Sequence, residues 1–324
     1  MYKFYFEKDF DTSRITIIPS NITKINLGLN DDKYNQLSHN IDLVINTVAN
    51  VKYYGLYKDF ESINVNIVKS LIDFCKVNNT HLCHISTLGV SGNYLVTLND
   101  QQNNKFTEND FYIGQNYKQN VYTQTKFEAE KLIYEETKNG LNSTIMRVGN
   151  LTGRYSDGLF QKNVADNAFY NILRLIITKG ILPNTLASTS LEFTPVDYCA
   201  KAICDIITNT DINKHVYHIF NNNYIAFKKF ISILNELGYF VKFIPGNQFK
   251  KDIINILNLD ENKDQLQGVI NDLDDELGIR FNSSVNLDNT ITNAYLEKLG
   301  FHWPKVTKEY IISLINYMKK IMYI

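Results

Sequence analysis

Two segments of the sequence decide its fold: His81-Leu-Cys-His-Ile-Ser-Thr87 and Asn120-Val-Tyr-Thr-Gln-Thr-Lys126. The first is an apolar run that ends in two hydroxyl residues, and it predicts a buried strand with both hydroxyls at its C-terminal end. The second begins a long helical pattern and places Tyr122 and Lys126 four residues apart, on one face of the helix. In an open α/β sheet, ligands bind outside the carboxyl ends of the strands. The two segments therefore predict a ligand site where the strand end meets the first turn of the helix.

Short apolar strands alternate with helical patterns on both sides of these segments. The predicted strands are residues 14–19, 41–46, 81–87, 143–148, 191–195, 216–220 and 239–244, and the predicted helices are residues 31–38, 57–77, 116–138, 162–179, 196–208 and 307–321. Residues 1–10 have the pattern of the end of a further helix. This alternation is typical of an α/β fold with a doubly wound parallel sheet. Later in the chain the pattern is mostly helical, which predicts a sheet domain over 1–222 and a smaller C-terminal lobe over 223–324.

The composition excludes several classes of protein. With 324 residues and a net charge of −1, the chain has room for a large core and no excess charge that would favour nucleic acid or an anionic membrane. No apolar run approaches the length of a membrane span, and the charged N-terminal residues do not fit a signal peptide. The four cysteines form no CxxC pair, which favours free thiols in a reducing cytoplasm. His81 and His84 lie three apart on a strand and face opposite sides, which argues against a metal pair.

The Tyr122–Lys126 pair carries acid–base chemistry. A free phenol has a pKa of about 10, and a neighbouring ammonium favours the phenolate, so we expect Lys126 to lower the pKa of Tyr122 toward working pH. Such a tyrosine gives its proton to a carbonyl oxygen as a hydride reaches the carbon, and general acid catalysis of this kind contributes roughly 10²- to 10⁴-fold. A threonine hydroxyl nearby can hydrogen-bond the same oxygen. These residues predict a site that reduces a carbonyl.

The spacing by itself is weak evidence, because it recurs at Tyr54/Lys58, Tyr134/Lys138 and Tyr224/Lys228. The alternative for each pair is a solvated helix face. Tyr122 differs because its helix follows the strand that ends in Thr87. Small residues at 47–49 would let a flat cofactor lie close to the backbone, although an ordinary strand exit explains them equally well. Asn64 interrupts an apolar helix face, which predicts a bridge to backbone groups of a neighbouring strand.

Seven motifs follow one another in an order that identifies a family. They are Asn21-Ile-Thr-Lys-Ile-Asn-Leu-Gly-Leu29, Val48-Ala-Asn-Val-Lys-Tyr-Tyr-Gly55, Ile63-Asn-Val65, His84-Ile-Ser-Thr-Leu-Gly-Val-Ser-Gly92, Tyr122-Thr-Gln-Thr-Lys126, Arg147-Val-Gly-Asn-Leu-Thr-Gly153 and Phe193-Thr-Pro-Val-Asp-Tyr198. In these motifs the chain resembles the extended short-chain dehydrogenase/reductases. Within them it is most similar to the thioester reductase domains of nonribosomal peptide synthetases and the related carboxylic acid and aminoadipate reductases. The resemblance covers most of the chain and implies a Rossmann-like NAD(P)-binding domain over 1–222, with substrate-lobe insertions after residue 150.

The resemblance also implies an activity. Members of this family use NADPH, rather than NADH, to reduce an acyl or peptidyl thioester on the phosphopantetheine arm of a carrier protein to an aldehyde, and some reduce it further to the alcohol. By position, Thr87, Tyr122 and Lys126 match the family's catalytic triad, and Ser86 is the alternative to Thr87 if the register is shifted by one. The residues implied to bind the cofactor are Asn21, Ile22, Ala49, Asn50, Ser86, Arg147, Gly149 and Asn150. The family usually has Asp where Asn21 stands near the adenine, and an amide oxygen can still accept a hydrogen bond there. No metal is implied.

One feature of the family is missing from the sequence. None of the fifteen glycines forms a G-x-G-x-x-G or G-x-x-G-x-x-G pattern, and such a loop normally brings the pyrophosphate to a helix N-terminus. Comparison with the family predicts that the first βαβ unit is missing. It would then lie on a neighbouring upstream polypeptide, or it was lost from the gene model. The strand at 14–19 would then lack its usual neighbours, and two sheet edges would be exposed. Two alternatives stay open: a remnant binding module that reduces nothing, and another extended dehydrogenase activity such as sugar-nucleotide epimerisation or dehydration.

Overall fold

A four-stranded parallel sheet forms the centre of the protein. The computed structural model describes residues 11–52, 55–94, 105–118, 120–209, 215–259 and 286–324, and two short strands at 273–274 and 278–279. The strands of the sheet are β1 (Leu43–Asn46), β2 (His81–Thr87), β3 (Ser143–Val148) and β4 (Val216–Ile219), and they lie side by side in that order. Every neighbouring pair is parallel. These four strands confirm the sequence-based prediction for this part of the chain.

Helices cover both faces of the sheet. They are α1 (Asp31–Asn40), α2 (Tyr57–Phe60), α3 (Asn66–Lys76), α4 (Val121–Lys138), α5 (Ala168–Lys179), α6 (Val196–Ile207), α7 (Phe227–Glu236), α8 (Gly246–Leu259), α9 (Thr290–Lys298) and α10 (Lys308–Lys320). On one face, α3 and α4 pack through buried residues that include Ile72 and Ile133. On the other face, α6 and α9 pack through Ile206 and Leu296. The predicted α/β fold with a parallel sheet between helical layers is therefore confirmed.

The strand β2 and the helix α4 position the candidate site. β2 pairs with β1 on one side and with β3 on the other, and its last residue, Thr87, is paired with Val148. The helix begins five residues later than the predicted start because Asn120 is its N-cap, and the Asn120 side chain accepts a hydrogen bond from the backbone N–H of Thr123. The first turn of α4 therefore lies against the turn that follows β2.

The helix predicted over 57–77 contains an irregular turn. A π-helical turn, Glu61–Val65, joins α2 to α3. Turns of this type occur often at functional sites. This one carries Asn64, which is only 1% exposed.

A second hydrophobic core belongs to the later part of the chain. It contains buried side chains from α5, α7 and α10, including Leu173, Phe230 and Leu314. A short parallel pair, Ile181–Pro183 with Lys242–Ile244, lies beside it. Both cores draw on residues from either side of position 222, since α9 packs on the sheet while α5 belongs to the second core. The division of the chain at residue 222 stays a prediction.

The strand predicted at 14–19 does not form. These residues have no regular secondary structure, and Ile15 and Ile17 are 48% and 83% exposed. A strand needs a ladder of hydrogen bonds from a neighbour. Within the described residues β1 pairs only with β2, which leaves its outer edge open and Ile45 44% exposed.

The strand predicted over 191–195 divides into Ser190–Leu191 and Thr194–Pro195. The helix end predicted at 1–10, and the two tyrosines at 53–54 of the second motif, lie outside the described residues. Of the helices that the structure describes, none combines the length and the apolar character needed to cross a membrane.

Candidate active site

The predicted strand end and helix face meet in the structure. Thr87 ends β2, Tyr122 lies in the first turn of α4, and their side chains are hydrogen-bonded to each other. The Thr87 hydroxyl oxygen also accepts a hydrogen bond from the backbone N–H of Gly89 at 3.1 Å. Both side chains are only half-buried, so a ligand can reach them at the carboxyl end of the sheet. Thr87, and not the alternative Ser86, is the hydroxyl that bonds Tyr122.

The pKa of Tyr122 differs from the expectation based on its lysine neighbour. Burial of the phenol raises its pKa to about 12, and the hydrogen bond with Thr87 opposes this rise without cancelling it. The lowering expected from Lys126 is not seen: the causes of the shift are burial and the opposing hydrogen bond with Thr87, and Nζ of Lys126 is bound at Ile85 and His84. Tyr122 is consequently protonated at neutral pH and holds the proton that a general acid must give.

Lys126 is fully buried one helical turn after Tyr122. Its side chain is 1% exposed, and its Nζ lies 2.6 Å from the carbonyl oxygen of Ile85 and 3.1 Å from Nε2 of His84. Burial lowers the pKa of Lys126 to about 8, although the Glu130 carboxylate on the same helix acts in the opposite direction. A lysine of this kind exchanges its proton within the range in which enzymes work.

His84 is a residue of this site that the sequence analysis considered only as a metal ligand. It is 0% exposed, and its Nδ1 lies 3.0 Å from Nδ2 of Asn46. Burial, reinforced by the nearby Lys126, lowers the pKa of His84 well below its ordinary value, so the imidazole is neutral. His81, three residues earlier, instead lies 2.8 Å from the hydroxyl of Thr144. A polar residue within the apolar run of β2 was the signal that could have identified His84.

Two residues predicted to bind the cofactor lie beneath the site. Arg147 is 0% exposed, and its Nη2 forms a 2.8 Å ion pair with Glu130, which is equally buried. Ser86 donates a hydrogen bond of 2.5 Å to the same carboxylate, and Nη1 of Arg147 lies 3.2 Å from Nε2 of His218. Both side chains bind Glu130 inside the protein, and the cofactor-binding role of Ser86 and Arg147 stays a prediction. Sequence reasoning missed Glu130 because nothing in a helix pattern identifies a partner on β3.

The loop after β1 is fixed to α4 through Asn64. Its Oδ1 accepts a hydrogen bond from the backbone N–H of Asn50 at 2.7 Å, and its Nδ2 donates to the Asn50 carbonyl and to the Thr125 hydroxyl. Asn64 does bridge backbone groups, but these belong to Asn50 in the loop after β1 and not to a neighbouring strand as predicted. Ala49 and Asn50 are half-buried, so this arrangement holds both predicted cofactor residues beside α4.

Gly149 and Asn150 follow β3 and are fixed from behind by a buried carboxylate. The backbone N–H of Asn150 donates to Oε2 of Glu192 at 2.7 Å, and Thr194 donates to Oε1. A Cβ at Gly149 would lie 2.7 Å from Cβ of Phe220 and 2.8 Å from the Glu192 carboxylate, so only glycine fits. Burial raises the pKa of Glu192 to about 7, with the hydrogen bonds opposing the rise. Glu192 also escaped sequence reasoning: it lies between the short strands Ser190–Leu191 and Thr194–Pro195, flanked by two buried apolar residues.

Asn21 and Ile22 lie in an exposed segment before α1. The side-chain oxygen of Asn21 accepts hydrogen bonds from the backbone N–H and the hydroxyl of Thr23, at 3.2 and 2.7 Å. Asn21 is exposed and Ile22 is half-buried. Among the described residues, the structure records no hydrogen bond from either side chain to the Tyr122 site. Their adenine-binding role stays a prediction.

Comparisons with known proteins agree with the geometry. Residues 1–203 match the model of an NAD-binding family described as male sterility protein. The curated relatives include glycine betaine reductase ATRR of Emericella nidulans, 25% identical over 232 residues that make up 70% of this chain and 17% of that protein. L-2-aminoadipate reductase large subunit of Candida glabrata is 26% identical over 76% of this chain and 18% of that protein. The chain therefore spans less than a fifth of the length of either relative.

Solved structures give the same result. A thiolation-reductase di-domain from an archaeal nonribosomal peptide synthetase superposes with a TM-score of 0.80 and 32% identity, covering 98% of this chain and 65% of that one. UDP-glucuronic acid 4-epimerase from Bacillus cereus, solved with NAD, superposes with a TM-score of 0.60 at 15% identity, covering 92% of this chain and 80% of that one. The second likeness concerns the fold alone. The resemblance to reductase domains predicted from the sequence is confirmed.

Proposed function

We propose that this chain reduces an acyl thioester with a nicotinamide cofactor, and the premise is that the chain belongs to the male sterility protein family of NAD-binding domains. The acyl group is carried on the phosphopantetheine thiol of an acyl or peptidyl carrier protein. Its carbonyl carbon receives a hydride and its oxygen receives a proton, which forms a hemithioacetal. The carbon–sulfur bond then breaks, the sulfur leaves as a thiol, and the product is an aldehyde. A second reduction would give the alcohol.

The observation that carries this proposal is the hydrogen bond between Thr87 and Tyr122 at the carboxyl end of β2. Tyr122, protonated because burial raises its pKa, donates its proton to the carbonyl oxygen. Thr87 orients that oxygen with its hydroxyl, whose own oxygen is already bonded by Gly89. Lys126 lies one turn away with a lowered pKa, and it returns a proton toward the phenolate. General acid catalysis of this kind contributes roughly 10²- to 10⁴-fold.

The described residues fit the nicotinamide end of a dinucleotide. Gly89 packs closely on Thr87 and Thr123, since a Cβ there would lie 3.4 Å from the Thr87 hydroxyl and 3.3 Å from that of Thr123, so a larger side chain would crowd the Thr87 hydroxyl. Gly149 and Asn150 would hold the carboxamide side, and Ala49 with Asn50 the adjoining ribose. When bound, NADPH supplies the hydride. We favour NADPH over NADH from the resemblance to reductase domains.

The pyrophosphate requires donors that this sequence does not present in a glycine-rich loop. We infer that an upstream polypeptide supplies the first βαβ unit and pairs with the open edge of β1. The outer edge of β1, which has no neighbouring strand among the described residues, supports this assembly, because an unpaired strand edge is a template for another strand. Three of the four free cysteines are buried, which supports a location in the reducing cytoplasm.

A second candidate is a sugar-nucleotide epimerase or dehydratase, since the chain shares its fold with the epimerase of Bacillus cereus. Both candidates use a tyrosine and a lysine at this position. They differ in the substrate, because only the thioester reductase consumes NADPH with a carrier-bound acyl group. A remnant that binds a carrier protein without reducing its cargo is the third possibility.

The test begins with calorimetric titration of the chain with NADPH and NADH, alone and with the upstream segment added. A reduction assay with an acyl phosphopantetheinyl carrier protein follows under the conditions that bind cofactor. We expect Tyr122→Phe to lower the rate of NADPH oxidation roughly 10²- to 10⁴-fold. Tyr134→Phe is the matched control, because it removes the same hydroxyl from a Tyr-x-x-x-Lys pair farther along α4. Equal rates for the two variants, or NADPH binding without any thiol release, would contradict the proposed function.

A further inference from the structure

Asn46, His84 and Lys126 form a buried chain of hydrogen bonds that runs from β1 through β2 to α4. Their side chains are 3%, 0% and 1% exposed. The Nδ2 of Asn46 lies 3.0 Å from Nδ1 of His84, and Nε2 of His84 lies 3.1 Å from Nζ of Lys126. Because the imidazole is neutral, only one of its nitrogens carries a proton. The position of that proton determines whether Nε2 of His84 offers Lys126 a hydrogen-bond donor or an acceptor.

The backbone of the loop after β1 decides where the proton lies. The N–H of Val48 can only donate, and it lies 3.1 Å from Oδ1 of Asn46. This contact fixes the amide of Asn46 with its oxygen toward Val48 and its NH₂ group toward His84. The Nδ1 of His84 must therefore accept, with its lone pair directed at Asn46. The imidazole proton is consequently on Nε2, which faces Lys126.

A proton on Nε2 has a direct consequence for the lysine. A 3.1 Å contact between Nε2–H and Nζ is a hydrogen bond only when Nζ has a lone pair, that is, when Lys126 is a neutral amine. The amine then donates one of its own protons to the Ile85 carbonyl, 2.6 Å away. We propose that His84, oriented by Asn46, donates its Nε2–H to Lys126 and favours the neutral form of this lysine.

The charged groups around the pair are consistent with this role. Glu130 on the same helix favours the ammonium, but its carboxylate is already bound by Arg147 and Ser86. The lowered pKa of Lys126, about 8, has burial as its main cause, and a donor at Nε2 acts in the same direction. His84 is thus a positioning residue that acts through the lysine.

The role of His84 in the reaction concerns the return of the proton. After Tyr122 has given its proton to the substrate, the phenolate regains a proton at the expense of the Lys126 ammonium, which lies one helical turn away. The resulting amine gains the hydrogen bond from His84, which stabilises the product of the transfer. Lys126 later regains a proton from solvent. This step depends on the proposed function only in that Lys126 serves the Tyr122 site.

The protonated nitrogen of His84 can be read by long-range ¹H–¹⁵N NMR on the full chain labelled with ¹⁵N-histidine at a pH of about 9, above the pKa of Lys126, where the lysine is neutral. The His84 signal is assigned by its loss in His84→Gln. We expect the Nε2–H tautomer. In Asn46→Asp the carboxylate can only accept, so the His84 signal should change to the Nδ1–H tautomer. The control His81→Gln removes the other histidine of β2 and should leave the His84 signal unchanged.

The ionisation of Lys126 provides the second measurement. In lysine labelled at Cε and Nζ, the signal lost in Lys126→Met identifies the residue, and its titration gives the midpoint. We expect this midpoint to rise by about one pKa unit or more in Asn46→Asp, since the ammonium can then donate to Nε2. An Nδ1–H tautomer or a charged imidazole in the unmodified chain would overturn the proposal. So would an unchanged Lys126 midpoint in a folded Asn46→Asp chain. Neither measurement requires activity, so failure here is distinct from failure to reduce a thioester.

Discussion

Replacing Glu130 by glutamine should destabilise the whole sheet domain. The carboxylate binds Arg147 through three contacts of 2.8–3.2 Å and accepts a 2.5 Å hydrogen bond from Ser86, and both charged side chains are 0% exposed. Removing one member of a buried ion pair leaves the other charge without compensation and costs about 3–5 kcal/mol. For 324 residues, an unfolding entropy of about 2 cal/mol/K per residue converts this loss to a decrease in Tm of roughly 4–7 °C.

Urea and thermal unfolding followed by circular dichroism would measure this decrease. Glu135→Gln is the matched control, because this glutamate lies on the same helix with its side chain 54% exposed, and its Tm should change by less than about 1 °C. The double variant Glu130→Leu/Arg147→Met should recover much of the loss, since an apolar pair of similar volume leaves no buried charge. A Tm of Glu130→Gln equal to that of Glu135→Gln would refute the reasoning.

Three further changes test the loops around the site. Gly149→Ala should destabilise the fold by about 1–3 kcal/mol in urea unfolding, because its Cβ would collide with Phe220 and with Glu192. Burial raises the pKa of Glu192 to about 7 in the folded chain. The protonated carboxyl group therefore stabilises the fold at pH 4, and this stabilisation is lost as the pH rises toward 7. As the pH rises from 5 to 8, the free energy of unfolding of Glu192→Gln should therefore increase by up to about 3 kcal/mol relative to that of the unmodified chain. A difference between the two urea midpoints that stays constant over this range would contradict the assignment. Asn64→Leu leaves both backbone groups of Asn50 without their partner, and we expect a loss of about 2–4 kcal/mol together with faster amide exchange at Asn50.

Local patterns in the sequence were sufficient for the elements that carry the site. The apolar run at 81–87 and the run at 143–148 became β2 and β3 at the predicted residues. The four-residue spacing of Tyr122 and Lys126 placed both on one face of α4, because helical periodicity is a local property. The strand predicted at 14–19 failed for the opposite reason: an apolar run becomes a strand only beside a partner, and within the described residues it has none.

The sequence alone determined the α/β alternation and the family resemblance, and it was sufficient to predict Thr87, Tyr122 and Lys126 as a triad. The tertiary structure alone decided which buried groups act on that triad. His84 meets Lys126 across 42 residues of sequence, and Glu192 meets Asn150 across another 42. The tertiary structure also directs the side chains of Ser86 and Arg147 inward, where both bind Glu130. Such contacts depend on which strands become neighbours, and a hydrogen bond or ion pair between distant residues leaves no periodic trace in the sequence.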